Sequence, residues 1–170
     1  SFIRIHLQLC DNLSTPLQLQ ILAESMPSMK QRIEQAFVHT QKFVEHIRKT
    51  WPRTKISFIR EDLIKQGFTP SVFSFDLPEK GDTAQERDQY KKELNFRLIA
   101  HMIEQLPDNA KHCVSYGQLR KSYWTVPATS TQGTTKEDDK DYVVRVALPP
   151  EIDVELLIRV FDAFCLGEGI

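Results

Sequence analysis

Glycine is scarce in this 170-residue chain, at six residues, and cysteine scarcer still, at three. No G-x-x-x-x-G-K-[ST] and no internal G-x-G-x-x-G occurs, so the common backbone cradles for phosphate are missing. No G-x-S-x-G occurs either, which leaves a nucleophile elbow without support. C-x-x-C, H-x-H and H-E-x-x-H are absent too, and no metal is expected. Apolar runs stop short of the ~20 residues that a membrane-spanning helix needs. No charged start followed by an apolar stretch and a small-residue cleavage site is visible, so nothing reads as a secretory leader.

What is present is ordinary globular composition, 41% hydrophobic and 26% charged with a net charge of −1. A chain of this length hides about 70% of its unfolded surface, enough for one real core. Cys10, Cys113 and Cys165 are odd in number, far apart and set among apolar neighbours. That pattern favours a reducing, intracellular compartment, cytoplasm or nucleus, over a disulfide framework. The chain opens in a strand pattern and closes after an apolar helix pattern. A single domain over 1–170, cut from a longer protein, is the expectation.

Residues 2–10 alternate, with Ile3, Ile5, Leu7 and Leu9 on one side. Thr15-Pro16-Leu17-Gln18, Ser28-Met29-Lys30-Gln31 and Thr83-Ala84-Gln85-Glu86 are capping boxes that open three helices. The second runs to about Trp51, with Met29, Ile33, Phe37, Thr40, Val44, Ile47 and Trp51 as its apolar stripe. The third reaches Leu106, with a first half that reads as charged all round. Strands are expected at 55–60, 72–77, 112–116 and 142–148, and Tyr123-Trp124-Thr125-Val126 favours another. Residues 127–141 carry no large apolar side chain and read as a flexible loop. Ile152 to Cys165 reads as a helix apolar on nearly every face. Strands and helices mix without regular alternation. The fold class is therefore α+β, a mixed or antiparallel sheet of about five strands with helices packed on one face.

Candidate chemistry is thin. His112 and Cys113 are adjacent on a strand and point to opposite faces, so they form no dyad with each other. No catalytic residue and no cofactor is expected from linear motifs. Charge is unevenly placed: residues 29–60 carry eight Lys and Arg against two acids, while 151–170 carry five acids against one base. Two surfaces follow. The extra apolar face of the last helix, Val154, Ile158 and Phe161, would meet a protein partner or another domain of the parent chain. The leading expectation is accordingly a non-catalytic interaction domain, an adaptor or scaffold within a larger assembly. The alternative is a nucleic-acid-binding module, with Arg32, Lys42, Lys49, Arg53, Lys55, Arg120 and Lys121 on phosphates and Tyr123 or Trp124 stacking on bases. An enzyme without linear motifs is the third reading.

Overall fold

The computed structural model describes residues 14–113, 120–126 and 142–170. The expected strand over 2–10, Cys10 and the expected flexible loop over 127–141 lie outside the described residues. The sequence reads as one domain; the chain divides into two compact units, Ser1–Arg32 and Ile33–Ile170.

In the first unit, α1 (Pro16–Ser25) starts where the capping box places it. Thr15 Oγ1 accepts from the Gln18 amide, and Gln18 Oε1 accepts from the Thr15 amide at 2.8 Å. Two of the orphan donors of the helix start are thereby satisfied. Pro27 follows in a 3-10 turn, Met26–Ser28. No residue of α1 is buried. Leu17, Leu19, Ile21 and Leu22 are each more than half exposed.

α2 (Met29–Thr50) carries the chain into the second unit. There it buries Ala36, Phe37, Thr40, Phe43, Val44 and Ile47, a stripe at three- and four-residue spacing. Phe43, fully buried, was missing from the expected stripe, while Ile33 is 46% exposed. The remaining elements are β1 (Lys55–Ser57), α3 (Glu61–Lys65), β2 (Val72–Asp76), α4 (Ala84–Gln105), β3 (Ala110–His112), β4 (Ser122–Thr125), β5 (Val144–Ala147) and α5 (Val154–Glu168). Asp153 caps α5, accepting from the Leu156 amide at 3.0 Å. Gly169 ends it with φ +64°, a conformation that costs glycine no Cβ clash.

The five strands form one mixed sheet in the order β1-β2-β5-β4-β3. β1/β2, β2/β5 and β5/β4 are antiparallel, and β4/β3 is parallel. This is the expected α+β arrangement. Register assigns the faces, because paired residues share a face and the next residue along takes the other. Phe73, Phe75, Val144, Val146 and Trp124 lie on one face, and all belong to the single hydrophobic core. The buried stripes of α2, α4 and α5 join that same core. Phe161 of α5 sits edge-on to Phe43 at 5.4 Å and to Phe75 at 5.7 Å. Edge-to-face aromatic pairs of this kind add about 0.5–1.5 kcal/mol each beyond their buried area.

Three expectations need correction. Val154, Ile158 and Phe161, proposed as an outward interface, are 7%, 8% and 0% exposed. They form the inward stripe of α5, and the helix looks apolar all round because Leu156 and Val160 also pack against the core edge. Trp124, proposed as a stacking platform, is fully buried, its indole N–H held by Ser122 Oγ at 3.0 Å. The first half of α4 is not solvated on every side. Lys91 is only 7% exposed, because its ammonium reaches Asp76 Oδ1 at 2.7 Å.

Candidate functional site

The second face of the sheet is built differently from the first. Pleating puts Ser74 between the core residues Phe73 and Phe75, and Arg145 between Val144 and Val146. It puts Thr125 between Trp124 and Val126 in the same way. Register then aligns the polar residues. Ser57 pairs with Ser74, Ser74 with Arg145, and Arg145 with Thr125. One row across four strands therefore reads Ser, Ser, Arg, Thr, on the face away from the aromatic core. A guanidinium at the middle of a sheet is flanked by hydroxyls on both neighbouring strands.

Burial separates the Ser74, Arg145 and Thr125 part of this row from a solvated sheet surface, while Ser57 is exposed. Thr125 is 2% exposed, and its hydroxyl is buried with no hydrogen-bond partner among the described residues. An unmatched buried hydroxyl costs about 1–3 kcal/mol, so its place beside a cation calls for explanation. Ser74 and Arg145 are half-buried. Two residues along β4 from Thr125, on the same face, stands Tyr123, 4% exposed. Its phenol pKa is pushed above the usual value, first by burial and then by the nearby Cys113 thiol. The phenol thus stays a proton donor across the ordinary pH range.

A cavity of about 190 Å³ adjoins the row, lined by Lys55, Ile56, Ser57, Ser74, Phe75, Asp76 and Val143. Asp76 is already matched by Lys91 at 2.7 Å, an ion pair without the alignment of a hydrogen bond. The arrangement can hold an anion. Arg145 offers a five-donor fork, and hydroxyls stand on either side of it.

Five of the residues proposed for nucleic acid are engaged by other groups of the chain. Lys42 pairs with Glu155. Arg120 lies 3.5 Å from Glu151. Lys121 donates to the Pro107 carbonyl at 2.7 Å, and Arg53 to the Gly169 carbonyl at 3.5 Å. Arg32, in the first unit, donates to the Ser25 carbonyl at 3.1 Å. Lys49 is exposed on α2, and Tyr123 is buried. Acidic residues of α5 and its flank thus take up part of the positive charge that the sequence places on α2. Of the proposed set, Lys55 lines the cavity beside the polar row.

Among the described residues no group of three His, Cys, Asp or Glu could hold a metal ion. None of the described helices is long and apolar enough to cross a membrane.

No family model and no curated protein matches the chain. Solved structures do. One is a Campylobacter jejuni protein described as an O-acetylhomoserine (thiol)-lyase, with N'-pyridoxyl-lysine-5'-monophosphate at its position 205. It superposes with a TM-score of 0.61 at 14% identity, over 88% of this chain and 35% of its own. The other is a cystathionine gamma-lyase from Lactobacillus plantarum complexed with L-serine, with a TM-score of 0.61 at 17% identity, over 91% of this chain and 39% of its own. The chain spans little more than a third of the length of either. The likeness is one of fold. It overturns the reading of the chain as a non-catalytic adaptor, since the same fold forms a portion of two enzymes and the side chains chosen as an adaptor surface are core.

The polar row was absent from the sequence reading. Its one available signal was Arg145, a lone charge inside the apolar run Val143-Val144-Arg145-Val146-Ala147.

Proposed function

We propose that this chain is the substrate-gripping portion of an enzyme acting on amino acids, and that Arg145 receives the substrate carboxylate. The single observation that carries this is the Ser74–Arg145–Thr125 row, with an unmatched buried hydroxyl beside a guanidinium on the face opposite the core. A carboxylate is planar and accepts two parallel N–H bonds from a guanidinium, which a hydroxyl at the side can extend. The two lyases of the same fold support the substrate class, one of them through the L-serine bound to it.

A pyridoxyl-lysine group such as that of the Campylobacter protein needs a lysine to carry it and a donor-rich cradle for its phosphate. The described residues do not fit it. The one buried lysine among them, Lys91, is committed to Asp76. A roomier cavity of about 650 Å³ along the start of α4 is lined by Glu86 and Glu93, which repel a phosphate. No step here is routed through that group. We propose instead that the rest of such an enzyme, as another domain or a partner chain, supplies the reacting machinery. The exposed Leu17, Leu19, Ile21 and Leu22 of α1 fit contact with it. Cys113 and Cys165 are both thiols, which suits an intracellular, reducing compartment.

The test is calorimetric titration of the chain with L-serine. Saturable binding that drops at least tenfold in Arg145→Gln, with the unfolding temperature kept, supports the reading. Equal binding by the two proteins, or none by either, overturns it.

A further inference from the structure

We propose that the exposed apolar stripe of α1 and the turn after it pairs with the same stripe of a second copy of this chain, the two helices running antiparallel. The inference stands apart from the reading of Arg145.

Spacing carries it. Leu19, Leu22, Met26 and Met29 follow one another at intervals of three, four and three residues. The sequence keeps that register through Ile33, Ala36, Thr40, Phe43 and Ile47. Within the second unit the last four of these are buried. Within the first unit Leu19, Leu22, Met26 and Met29 are 54%, 51%, 54% and 48% exposed. Apolar residues repeating at about 3.5 positions form the seam by which one helix packs into another. The 3-10 turn Met26–Ser28 tightens the seam, because residues three apart eclipse in that geometry and Met29 falls in line with Met26. Leu17 and Ile21, four residues apart, stand on the opposite side of α1 and stay available to the rest of the enzyme.

Charge and area name the occupant. The one charged residue of α1, Glu24, lies away from the seam and accepts from Gln20 at 2.9 Å. Charge beside the seam begins at its far end, with Lys30 and Arg32. A parallel copy would set those bases side by side. An antiparallel copy sends them to opposite ends, each beside the uncharged start of the other α1. Such a pair is self-complementary, with Leu19 opposite Met29 and Leu22 opposite Met26. The four side chains, with Ala23 and the Lys30 stem beside them, offer roughly 500 Å² per copy, so a pair buries about the 1,000 Å² of a small specific contact. That size makes a weak, reversible dimer rather than an obligate one.

The test is sedimentation equilibrium of the chain over about two decades of concentration up to roughly 500 µM. Monomer and dimer should interconvert with concentration. Met26→Lys should raise the dissociation constant at least tenfold, and Ile21→Lys, on the other side of α1, should leave it unchanged. Since α1 buries nothing, both variants should keep the circular dichroism and unfolding temperature of the wild type. A mixture of Leu19→Cys and Met29→Cys chains should couple between those two positions under mild oxidation, as peptide mapping would show, and Leu19→Cys chains should not couple to each other there. A monomer at every concentration, or a dimer that ignores Met26→Lys or is weakened as much by Ile21→Lys, overturns the proposal. Coupling between two Leu19→Cys positions overturns the antiparallel arrangement.

Discussion

Asp162 ties two helices together through one carboxylate. It accepts from the Trp51 indole N–H at 2.7 Å and lies 2.9 Å from His46 Nε2. Trp51 follows α2 and is 9% exposed, so its N–H has little access to water. Asp162→Ala should therefore cost about 1–3 kcal/mol, the penalty of an unmatched buried donor, read as a lower urea midpoint. Asp162→Asn keeps an acceptor for the indole and should cost less. Cys165 gives a second test on a single side chain. Burial, with the Asp162 charge as the lesser cause, pushes its thiol from 9.0 up to about 12. The folded state holds this proton more tightly than the unfolded state. The thiol's contribution to stability is thus complete below about 9 and declines as pH climbs towards about 12. At pH 8 Cys165 should resist iodoacetamide while the half-exposed Cys113 reacts, as peptide mass mapping would show. Rapid labelling of Cys165 in the native chain would contradict its placement.

Helices were legible in the sequence where chemistry is local. Thr15 with Gln18 and Thr83 with Glu86 form capping boxes from residues three apart, and both boxes are present as expected. Which side of an apolar helix faces inward is not local. Val154, Ile158 and Phe161 looked like a spare face of α5, because nothing in the sequence says where Phe43 and Phe75 will lie. Once those rings are in place, the trio is the inner stripe. Ile158→Asp buries a carboxylate in that core without a partner, and the chain should unfold or lose several kcal/mol. An outward-facing Ile158 would leave the variant folded, so circular dichroism of this variant separates the two placements. The second sheet face was illegible for a related reason. Ser57, Ser74, Arg145 and Thr125 are spread over 89 residues, and only strand order and register bring them into one row.

At the scale of the whole molecule, the sheet divides the labour. Its aromatic face is closed by α2, α4 and α5, and stability resides there. Its polar face carries the Thr125 hydroxyl, one of the buried polar groups without a hydrogen-bond partner among the described residues. The charge asymmetry of the sequence belongs to the first task. The excess of bases around α2 and of acids around α5 meet as Lys42 with Glu155 and His46 with Asp162. The use proposed for the polar face is to hold an amino acid by its carboxylate. The most direct test is a nuclear magnetic resonance titration of the isotope-labelled chain with L-serine. The account predicts shifts concentrated at Ser74, Arg145 and Thr125 and lost in Arg145→Gln. Shifts centred on the exposed Lys49 region of α2, or scattered without saturation, would contradict it.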